Sequence, residues 1–283
     1  MRRLLRRIRR RLRGGPDAAD RALRLQIERA GGSLQPIRPG EGWRRWRNRA
    51  LRTHAEVDEA VAELRRLGLV PHQDAPKNWD HLVALGEILS RTDRDARVLE
   101  MGAASYSPLL VWLYQYGYRH LNGIDLGHGE PSLRGPIRLE RMDLQHTRYP
   151  DSTFDAIACL SVIEHGVEVT AYLAEARRLL KPGGLLVTST DYWADPIDTA
   201  GKVAYGVPVH LFTSSEIEAL VETARDFGFD AHPAPDLACE ERVVHWARLE
   251  LDYTFVVLTL VANRPPRDTS ATSATSNGLG VRP

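Results

Sequence analysis

One stretch of the sequence, from Val98 to Ser105, most constrains what this chain can fold into. An apolar run ends there in Glu100 and Gly102, and a helix-like sequence resumes after Ser107. This order predicts a buried strand, a tight turn and a helix. In an open α/β sheet, such a turn is the place where a nucleotide-like ligand binds.

Length and composition predict a soluble globular protein. The chain has 283 residues, of which 43% are hydrophobic and 27% charged, enough to bury one sizeable core. No apolar stretch approaches the roughly 20 residues of a membrane span, and no apolar segment follows the basic N-terminus as a signal peptide requires. We therefore expect a cytoplasmic protein. Cys159 and Cys239 have no metal-ligand spacing, and no metal site is predicted.

Charge is distributed unevenly along the chain. Residues 1–13 carry eight arginines and no acid, whereas the rest carries 30 basic and 37 acidic side chains, a net charge of −7. A body of that sign binds nucleic acid poorly, so no nucleic-acid partner is expected. Residues 1–13 also place leucine and isoleucine on one helical face. We expect a basic amphipathic tail at the anionic inner face of the membrane, and a frayed tail without that role is the alternative.

Residues 14–90 predict a helical N-terminal extension. Helices are expected over residues 17–30, 56–67 and 82–89. Trp43 and Trp46 alternate with arginines, a pattern that either stacks on an anionic ligand or anchors the extension onto its domain.

The segment just before the last of these helices has two interpretations. Asn78 could cap the helix, which is a purely structural role. Alternatively Lys77, Asn78 or Trp79 closes over the ligand, because this helix must lead directly into the first strand.

Two further strands end, like the first, beside an acidic residue. The strand from His120 to Asp125 ends in Asp125, and an acid there can accept hydrogen bonds from both ribose hydroxyls of a nucleoside. The strand from Pro136 to Arg141 is followed by Asp143. A carboxylate there can accept a hydrogen bond from an exocyclic adenine amine while apolar neighbours cover the ring.

The remaining sequence continues to alternate strands and helices. A fourth strand ends near residues 160–165, a helix follows over 169–180, a fifth strand covers 185–189, a capped helix covers 213–227, a sixth strand begins at 228, and a last strand covers 253–262. Residues 191–209 are expected to be an irregular lid or substrate wall. The pattern predicts a doubly wound, mostly parallel seven-stranded sheet in a domain over 91–264, with a disordered tail over 265–283.

In this order the motifs resemble those of the class I S-adenosylmethionine-dependent methyltransferases. The motifs that carry the resemblance are those at 98–102, 123–125, 143–144, 154–155, 161–165, 179–184 and 228–229. The resemblance spans about Arg97 to Arg264 and implies a Rossmann-like methyltransferase fold with S-adenosylmethionine as the cofactor. It is nearest in pattern to bacterial members that act on small molecules or sugars, which implies a small-molecule or saccharide acceptor, methylated on a hydroxyl.

The resemblance also assigns roles to single residues. It implies that the cofactor is bound by Glu100, Gly102, Ala103, Ser105, Asp125, Leu126, Asp143, Leu144, Ser161 and Val162. It implies that the acceptor is bound by Glu164, Asp191, Tyr192 and Trp193. A hydroxyl acceptor needs a general base, for which His165 and His210 are the candidates.

The first turn departs from the family pattern, which usually has further glycines where this chain has Ala103 and Ala104. Alanine adopts positive φ only at a cost, so the turn must avoid that region or be strained. Ser105 could compensate by donating to the cofactor carboxylate. The alternative function is therefore a degenerate, non-catalytic methyltransferase-like adaptor at the membrane surface. A nicotinamide-dependent oxidoreductase would need G-x-G-x-x-G, of which only Gly102 is present. The oligomeric state is not predicted.

Overall fold

The structure, a computed structural model, describes residues 18–29 and 38–263. The predictions for the basic tail over 1–13 and for the C-terminal tail over 265–283 lie outside the described residues. None of the helices in the described ranges is long and apolar enough to cross a membrane.

The described residues form six α-helices, one 3₁₀-helix and twelve strands. The helices are α1 (Ala18–Arg29), the 3₁₀-helix (Glu41–Trp46), α2 (His54–Arg66), α3 (Lys77–Arg91), α4 (Leu109–Gln115), α5 (Val169–Leu179) and α6 (Ser214–Asp226). The strands are β1 (Arg49–Ala50), β2 (Arg97–Met101), β3 (His120–Ile124), β4 (Ser132–Arg134), β5 (Ile137–Glu140), β6 (Phe154–Leu160), β7 (Leu180–Tyr192), β8 (Val203–Ala204), β9 (Val207–Pro208), β10 (Phe229–Ala231), β11 (Val244–Trp246) and β12 (Leu251–Ala262).

Ten of these strands form one sheet, in the order β1-β12-β7-β6-β2-β3-β5-β4, with β10 and β11 also paired to β12. Strands β5, β3, β2, β6 and β7 run parallel, and β12 runs antiparallel to β7. The predicted doubly wound α/β fold is confirmed. The predicted number of strands, seven, was lower than the ten in the sheet. Strands β1, β4 and β11 were not predicted because they are two or three residues long, too short for an alternating apolar pattern.

The chain changes direction across the sheet between β2 and β6. From β2 it moves outward through β3 to β5, then returns to place β6 on the other side of β2. Such a reversal opens a crevice at the carboxyl ends of the two central strands, where ligands bind in open α/β sheets.

The N-terminal extension is anchored to the sheet domain by two tryptophans. Trp43 and Trp46 are 4% and 2% exposed and belong to the same core cluster as α3 and the central strands. Gly86 of α3 makes room for the first of them, since a Cβ at Gly86 would lie 2.4 Å from the Trp43 ring. The anchoring interpretation of these tryptophans is therefore confirmed.

Two local predictions were wrong. Helix α3 begins at Lys77, and Asn78 does not cap it; the Asn78 side chain accepts from His72 N at 2.7 Å and donates to Ala75 O at 3.0 Å, so it fixes the segment before the helix. Residues 191–209 are not wholly irregular, because β7 continues through Tyr192 and residues 203–208 form a β-hairpin.

Candidate active site

The turn after β2 is tied to its neighbours at the crevice. Gly102 N and Ala103 N both donate to Ile124 O, at 2.8 and 3.0 Å, which joins the turn to the end of β3. On the other side, a Cβ at Gly102 would lie 2.3 Å from Val162 Cγ2, so the turn also touches the segment after β6. The motifs at Gly102, Asp125 and Val162 therefore meet at one place.

The two alanines of this turn fit without strain. Gly102 has a φ of +78°, whereas Ala103 and Ala104 are not among the residues with positive φ. Ala103 is buried, and the missing side chain of Gly123 on β3 gives it room, because a Cβ at Gly123 would lie 2.7 Å from the Ala103 Cβ. The turn thus avoids the backbone region that alanine disfavours.

Glu100 lies beneath the turn and is incompletely satisfied. Its side chain is 3% exposed and accepts from the Ser107 hydroxyl, but its Oε2 atom is buried and has no hydrogen-bond partner among the described residues. Burial raises the pKa of Glu100. A cationic donor at this atom would offset the cost of burying the carboxylate.

The acids after β3 and β5 are half-buried and held by local backbone. Asp125 Oδ1 accepts from Gly127 N at 2.5 Å, and Asp143 Oδ1 accepts from Gln145 N at 2.9 Å. Leu126, next to Asp125, is 64% exposed. An apolar side chain so exposed beside two orienting carboxylates is suited to cover a flat ring.

Ser161, at the end of β6, has an unusual backbone. Its φ is +53°, and its amide donates both to Ser189 O and to Ser189 Oγ at 3.1 Å. Its own hydroxyl is buried without a partner in the described part of the chain. Positive φ in a non-glycine residue costs energy and tends to occur at ligand sites.

A group of ionisable side chains lies beside Ser161; we call Lys77, Asp80, His81, Glu164 and Asp191 the polar cluster. All are buried except Lys77, which is half-buried. Asp80 Oδ1 lies 2.8 Å from His81 Nδ1, and Asp80 Oδ2 accepts from Ser189 Oγ at 2.6 Å. Glu164 Oε2 accepts from Thr190 Oγ1 at 3.0 Å, and Asp191 accepts from the Tyr253 hydroxyl.

Burial dominates the electrostatics of the polar cluster. It raises the pKa of Glu164 to about 7 and raises the pKa of Asp191, which the Glu164 carboxylate raises further. Burial would also raise the pKa of Asp80, but His81 and Lys77 bring that pKa below its usual value. The cluster therefore holds an ionised Asp80, a Glu164 that exchanges its proton near neutral pH, and an Asp191 whose protonated form burial favours.

Aromatic rings form the rim of the cluster. Tyr205, at the tip of the β8–β9 hairpin, is 70% exposed and contacts His165 in a tilted arrangement, with ring centroids 4.8 Å apart and an interplanar angle of 59°. Tyr106, after the Gly102 turn, contacts His72 at 5.7 Å. Burial lowers the pKa of His165, so its ring is neutral at pH 7.

The structure does not bring all the predicted acceptor-site residues together. Glu164 and Asp191 belong to the polar cluster, and His165 lies at its rim. Tyr192 instead donates its hydroxyl to Leu237 O at 2.7 Å, and Trp193 lies under Arg242, 4.7 Å from the ring centroid.

Of the two predicted bases, His210 lies on the surface. Its Nε2 atom is 3.2 Å from Glu216 Oε1, and its ring lies against Phe212 near the start of α6. The predicted roles of Tyr192, Trp193 and His210 stay predictions. Ser105 is exposed, and its carbonyl oxygen accepts from Arg134 Nη1 at 2.8 Å.

Sequence reasoning missed several residues of the site. Asp80 and His81 carried no motif, because they reach the crevice through α3. Tyr205 lies within residues 191–209, the segment predicted as a lid or substrate wall, but it was not singled out as a site residue. His128 was also missed, although it follows Asp125 by three residues; its ring hydrogen-bonds the Ala103 backbone, and its Nε2 is buried without a partner in the described ranges. Those ranges contain no group of three or more His, Cys, Asp or Glu side chains that could hold a metal ion.

Comparisons with known proteins agree with this arrangement. A family model described as a methyltransferase domain matches residues 72–233. Phosphoethanolamine N-methyltransferase 3 of Arabidopsis thaliana is 29% identical over 104 residues, which are 37% of this chain and 21% of that protein. The chain belongs to the methyltransferase-domain family, as its motifs predicted.

Solved structures share the fold at low sequence identity. Geranyl diphosphate methyltransferase, in complex with GPP and sinefungin, has a TM-score of 0.50 and 13% identity over 74% of this chain and 83% of that chain. A Burkholderia thailandensis 1,6-didemethyltoxoflavin-N1-methyltransferase has a TM-score of 0.46 and 19% identity over 75% of this chain and 87% of that chain. The predicted Rossmann-like methyltransferase fold is confirmed.

Proposed function

We propose that this protein is an S-adenosylmethionine-dependent methyltransferase that methylates a hydroxyl of a small molecule or saccharide. The observation that carries the proposal is the convergence of Glu100, Asp125 and Ser161 on the Gly102 turn at the point where the sheet reverses direction. Each lies at the end of a different strand, as a nucleoside-containing ligand laid across those strand ends requires.

The residues of the crevice fit this cofactor. The unpartnered Glu100 Oε2 suits the ammonium of its amino-acid part, Asp125 suits the ribose hydroxyls, and Asp143 suits the adenine amine. The exposed Leu126 and the buried Leu144 suit the faces of the adenine ring. When bound, S-adenosylmethionine supplies an activated methyl group on a sulfonium, so the protein has mainly to orient the acceptor and exclude water.

A hydroxyl acceptor is supported by the residues beside the cofactor crevice. The carboxylates of the polar cluster can accept hydrogen bonds from hydroxyls, and the neighbouring rings of Tyr205 and His165 offer an apolar surface for a sugar ring or a flat small molecule. The relatives are named for different small-molecule acceptors, including nitrogen acceptors. The hydroxyl acceptor is therefore supported by this chain's own residues alone.

Transfer of a radiolabelled methyl group tests the proposal. The full chain is incubated with labelled S-adenosylmethionine and a panel of monosaccharides, methyl glycosides and small alcohols, beside the matching primary amines. We expect label in an ether product of at least one hydroxyl compound. Label in amines alone would contradict the hydroxyl acceptor, and absence of label throughout the panel would count against the enzyme.

The adaptor alternative depended on Ala103 and Ala104 spoiling the turn and on the arginine-rich tail. The φ values of the two alanines are not positive, so the first ground is lost. The tail is equally compatible with an enzyme, and the enzymatic proposal is preferred.

A peripheral membrane location is proposed for the same protein. Residues 1–13 carry eight arginines, which an anionic surface would attract. The rest of the chain has a net charge of −7 and would not be attracted. Residues 1–13 would then hold the enzyme at the inner membrane face, within reach of acceptors there.

A further inference from the structure

The unusual backbone of Ser161 depends on a side chain of the neighbouring strand. Its φ of +53° is a conformation that non-glycine residues adopt only at a cost. The Ser161 amide donates to Ser189 O and also to Ser189 Oγ, both at 3.1 Å. The second of these bonds is made by the Ser189 hydroxyl, which the backbone of β7 alone does not orient.

A residue of helix α3 orients that hydroxyl. Ser189 Oγ donates to Asp80 Oδ2 at 2.6 Å. A hydroxyl has a single proton, so this proton goes to Asp80, and the lone pairs of Oγ are left to accept from Ser161 N. Ser189 is 1% exposed and Asp80 is 0% exposed, so both groups are shielded from solvent. The three residues therefore form a continuous hydrogen-bonded chain from α3 to the end of β6.

Asp80 is suited to anchor this chain because its second oxygen is also engaged. Asp80 Oδ1 lies 2.8 Å from Nδ1 of His81, which is buried as well. Despite burial, His81 and Ser189 bring the pKa of Asp80 below its usual value. A hydrogen bond to an ionised carboxylate is stronger than one between neutral groups, and it polarises the donating hydroxyl so that this hydroxyl accepts more strongly in turn.

Helix α3 is itself fixed further along its length. Glu87, which is buried, accepts from Arg47 Nε at 2.5 Å and from Arg91 Nε at 2.8 Å. Gly86 packs against the Trp43 ring, as described above. These contacts tie α3 to the 3₁₀-helix of the extension, so Asp80 is presented to Ser189 from a firmly packed element.

We propose that Asp80 is a positioning residue of the cofactor crevice, which acts through Ser189 to hold Ser161 and Val162 in the arrangement that receives S-adenosylmethionine. Val162 contacts the Gly102 turn, since a Cβ at Gly102 would lie 2.3 Å from Val162 Cγ2. The Ser161 hydroxyl, buried without a partner in the described ranges, is left free for the ligand. This inference rests on the proposed function, because it names a residue that preforms the crevice for that cofactor.

The chain of hydrogen bonds should matter for binding because it stabilises a strained conformation before the ligand arrives. Without the Ser189 hydroxyl, the backbone of Ser161 is free to relax to negative φ in the unbound protein. A site that must reorganise before it binds loses affinity by the cost of that change. Removing the hydroxyl should therefore weaken cofactor binding as well as stability.

Calorimetric titration of the full chain with S-adenosylhomocysteine tests this directly. Ser189→Ala should bind at least about fivefold more weakly than wild type. Thr254→Val is the matched control: Thr254 is equally buried, and its hydroxyl also joins the sheet to the extension, but it donates to Leu51 O at 2.7 Å and not toward Ser161. Thr254→Val should lose stability and keep its affinity within about twofold of wild type.

A double-mutant cycle tests whether Asp80 acts through Ser189. Asp80→Asn keeps the shape of the side chain and removes its charge, and it should weaken binding at least about fivefold in the wild-type background. In the Ser189→Ala background the same change should alter affinity by less than about twofold, because the link to Ser161 is already broken.

Hydrogen exchange of the Ser161 amide separates a positioning role from a purely structural one. Its exchange rate is compared by NMR with that of the Ile157 amide in the middle of β6. In Ser189→Ala and Asp80→Asn, Ser161 should exchange at least about tenfold faster relative to Ile157, because the opening is local. In Thr254→Val the ratio of the two rates should stay as in wild type, since a general loss of stability speeds up both amides.

The outcomes distinguish this inference from the proposed function. The inference is overturned if Ser189→Ala binds S-adenosylhomocysteine as tightly as wild type, if Asp80→Asn weakens binding equally in both backgrounds, or if the exchange ratio of Ser161 to Ile157 is the same in every variant. Each of these results leaves binding by the wild-type chain intact. Absence of binding to the folded wild-type chain would instead contradict the proposed function.

Discussion

Gly102 is the residue on which the turn after β2 depends, because it combines a positive φ with a close contact to Val162. Alanine there would cost about 1–2 kcal/mol for its backbone and roughly 1–3 kcal/mol for its Cβ against Val162. We expect Gly102→Ala to lower the free energy of unfolding by about 2–5 kcal/mol in urea titrations. Gly129→Ala is the control, since no atom lies within 4 Å of its Cβ, and it should change stability by less than about 0.5 kcal/mol.

His72 makes stability depend on pH. Burial, with His81 and Lys77 nearby, lowers the pKa of His72 to about 3. The unfolded chain binds a proton at this histidine below about pH 6.5, whereas the folded chain does not until about pH 3. Its contribution to stability is therefore lost as the pH falls through that window.

As the pH falls below 6, we expect the free energy of unfolding to decrease more steeply in the wild-type chain than in His72→Gln. The two slopes should differ by about 1.4 kcal/mol per pH unit. Urea titrations of both proteins at pH 7, 6, 5 and 4 measure the difference. Parallel losses in the two proteins would mean that His72 does not stay neutral when folded.

Among single residues, the sequence predicted the positions beside the Gly102 turn better than those in the polar cluster. Glu100 and Asp125 end strands whose apolar runs are visible locally, so their position at one sheet edge followed from the fold class. The positions of Lys77 and Asp80 depend on where α3 lies against β7. The sequence left a ligand-closing role for Lys77 as one of two interpretations and assigned no role to Asp80. Ser161 was identified as a site residue, but its positive φ arises from the Ser189 contacts, which no local pattern reveals.

Helix α3 links the extension to the polar cluster, and its contact with the 3₁₀-helix can be tested. Alanine normally stabilises a helix by about 1 kcal/mol relative to glycine. At Gly86 the sign should reverse, because the new Cβ would lie 2.4 Å from the Trp43 ring. We expect Gly86→Ala to destabilise the protein in urea titrations.

The matched background for this change is Trp43→Ala, which removes the ring and should itself cost about 3–5 kcal/mol. In that background Gly86→Ala should be neutral or stabilising. A loss of the same size in both backgrounds would contradict the contact.

The long strands and most helices were predictable because their apolar periodicity is strong, as for β12 and α5. The short strands were not. β1 and β11 are fixed by pairing with β12, through Arg49 with Val257 and Val244 with Tyr253, and not by their own sequences. The strands of the β8–β9 hairpin, which brings Tyr205 to His165, are also two residues each and form a separate two-stranded sheet.

At the scale of the whole molecule, the charge asymmetry predicts membrane binding through residues 1–13. The intact chain should co-sediment with anionic phosphatidylserine vesicles at low salt, and a chain lacking residues 1–13 should not. Neutral phosphatidylcholine vesicles are the control and should retain neither. Equal co-sedimentation of the two chains with anionic vesicles would show that the tail is not the anchor.

The central claim is that the crevice beside the Gly102 turn binds S-adenosylmethionine, and calorimetric titration of the folded chain with S-adenosylhomocysteine tests it most directly. We predict one binding site, and at least tenfold weaker binding in Asp125→Ala, because a hydrogen bond to a charged group is worth roughly 1.5–3 kcal/mol. Asp93→Ala is the matched control: Asp93 accepts from Asp95 N at 2.9 Å as Asp125 does from Gly127 N, but before β2, at the other edge of the sheet. Absence of binding to folded wild-type protein, or equal affinity in Asp125→Ala and Asp93→Ala, would contradict the claim.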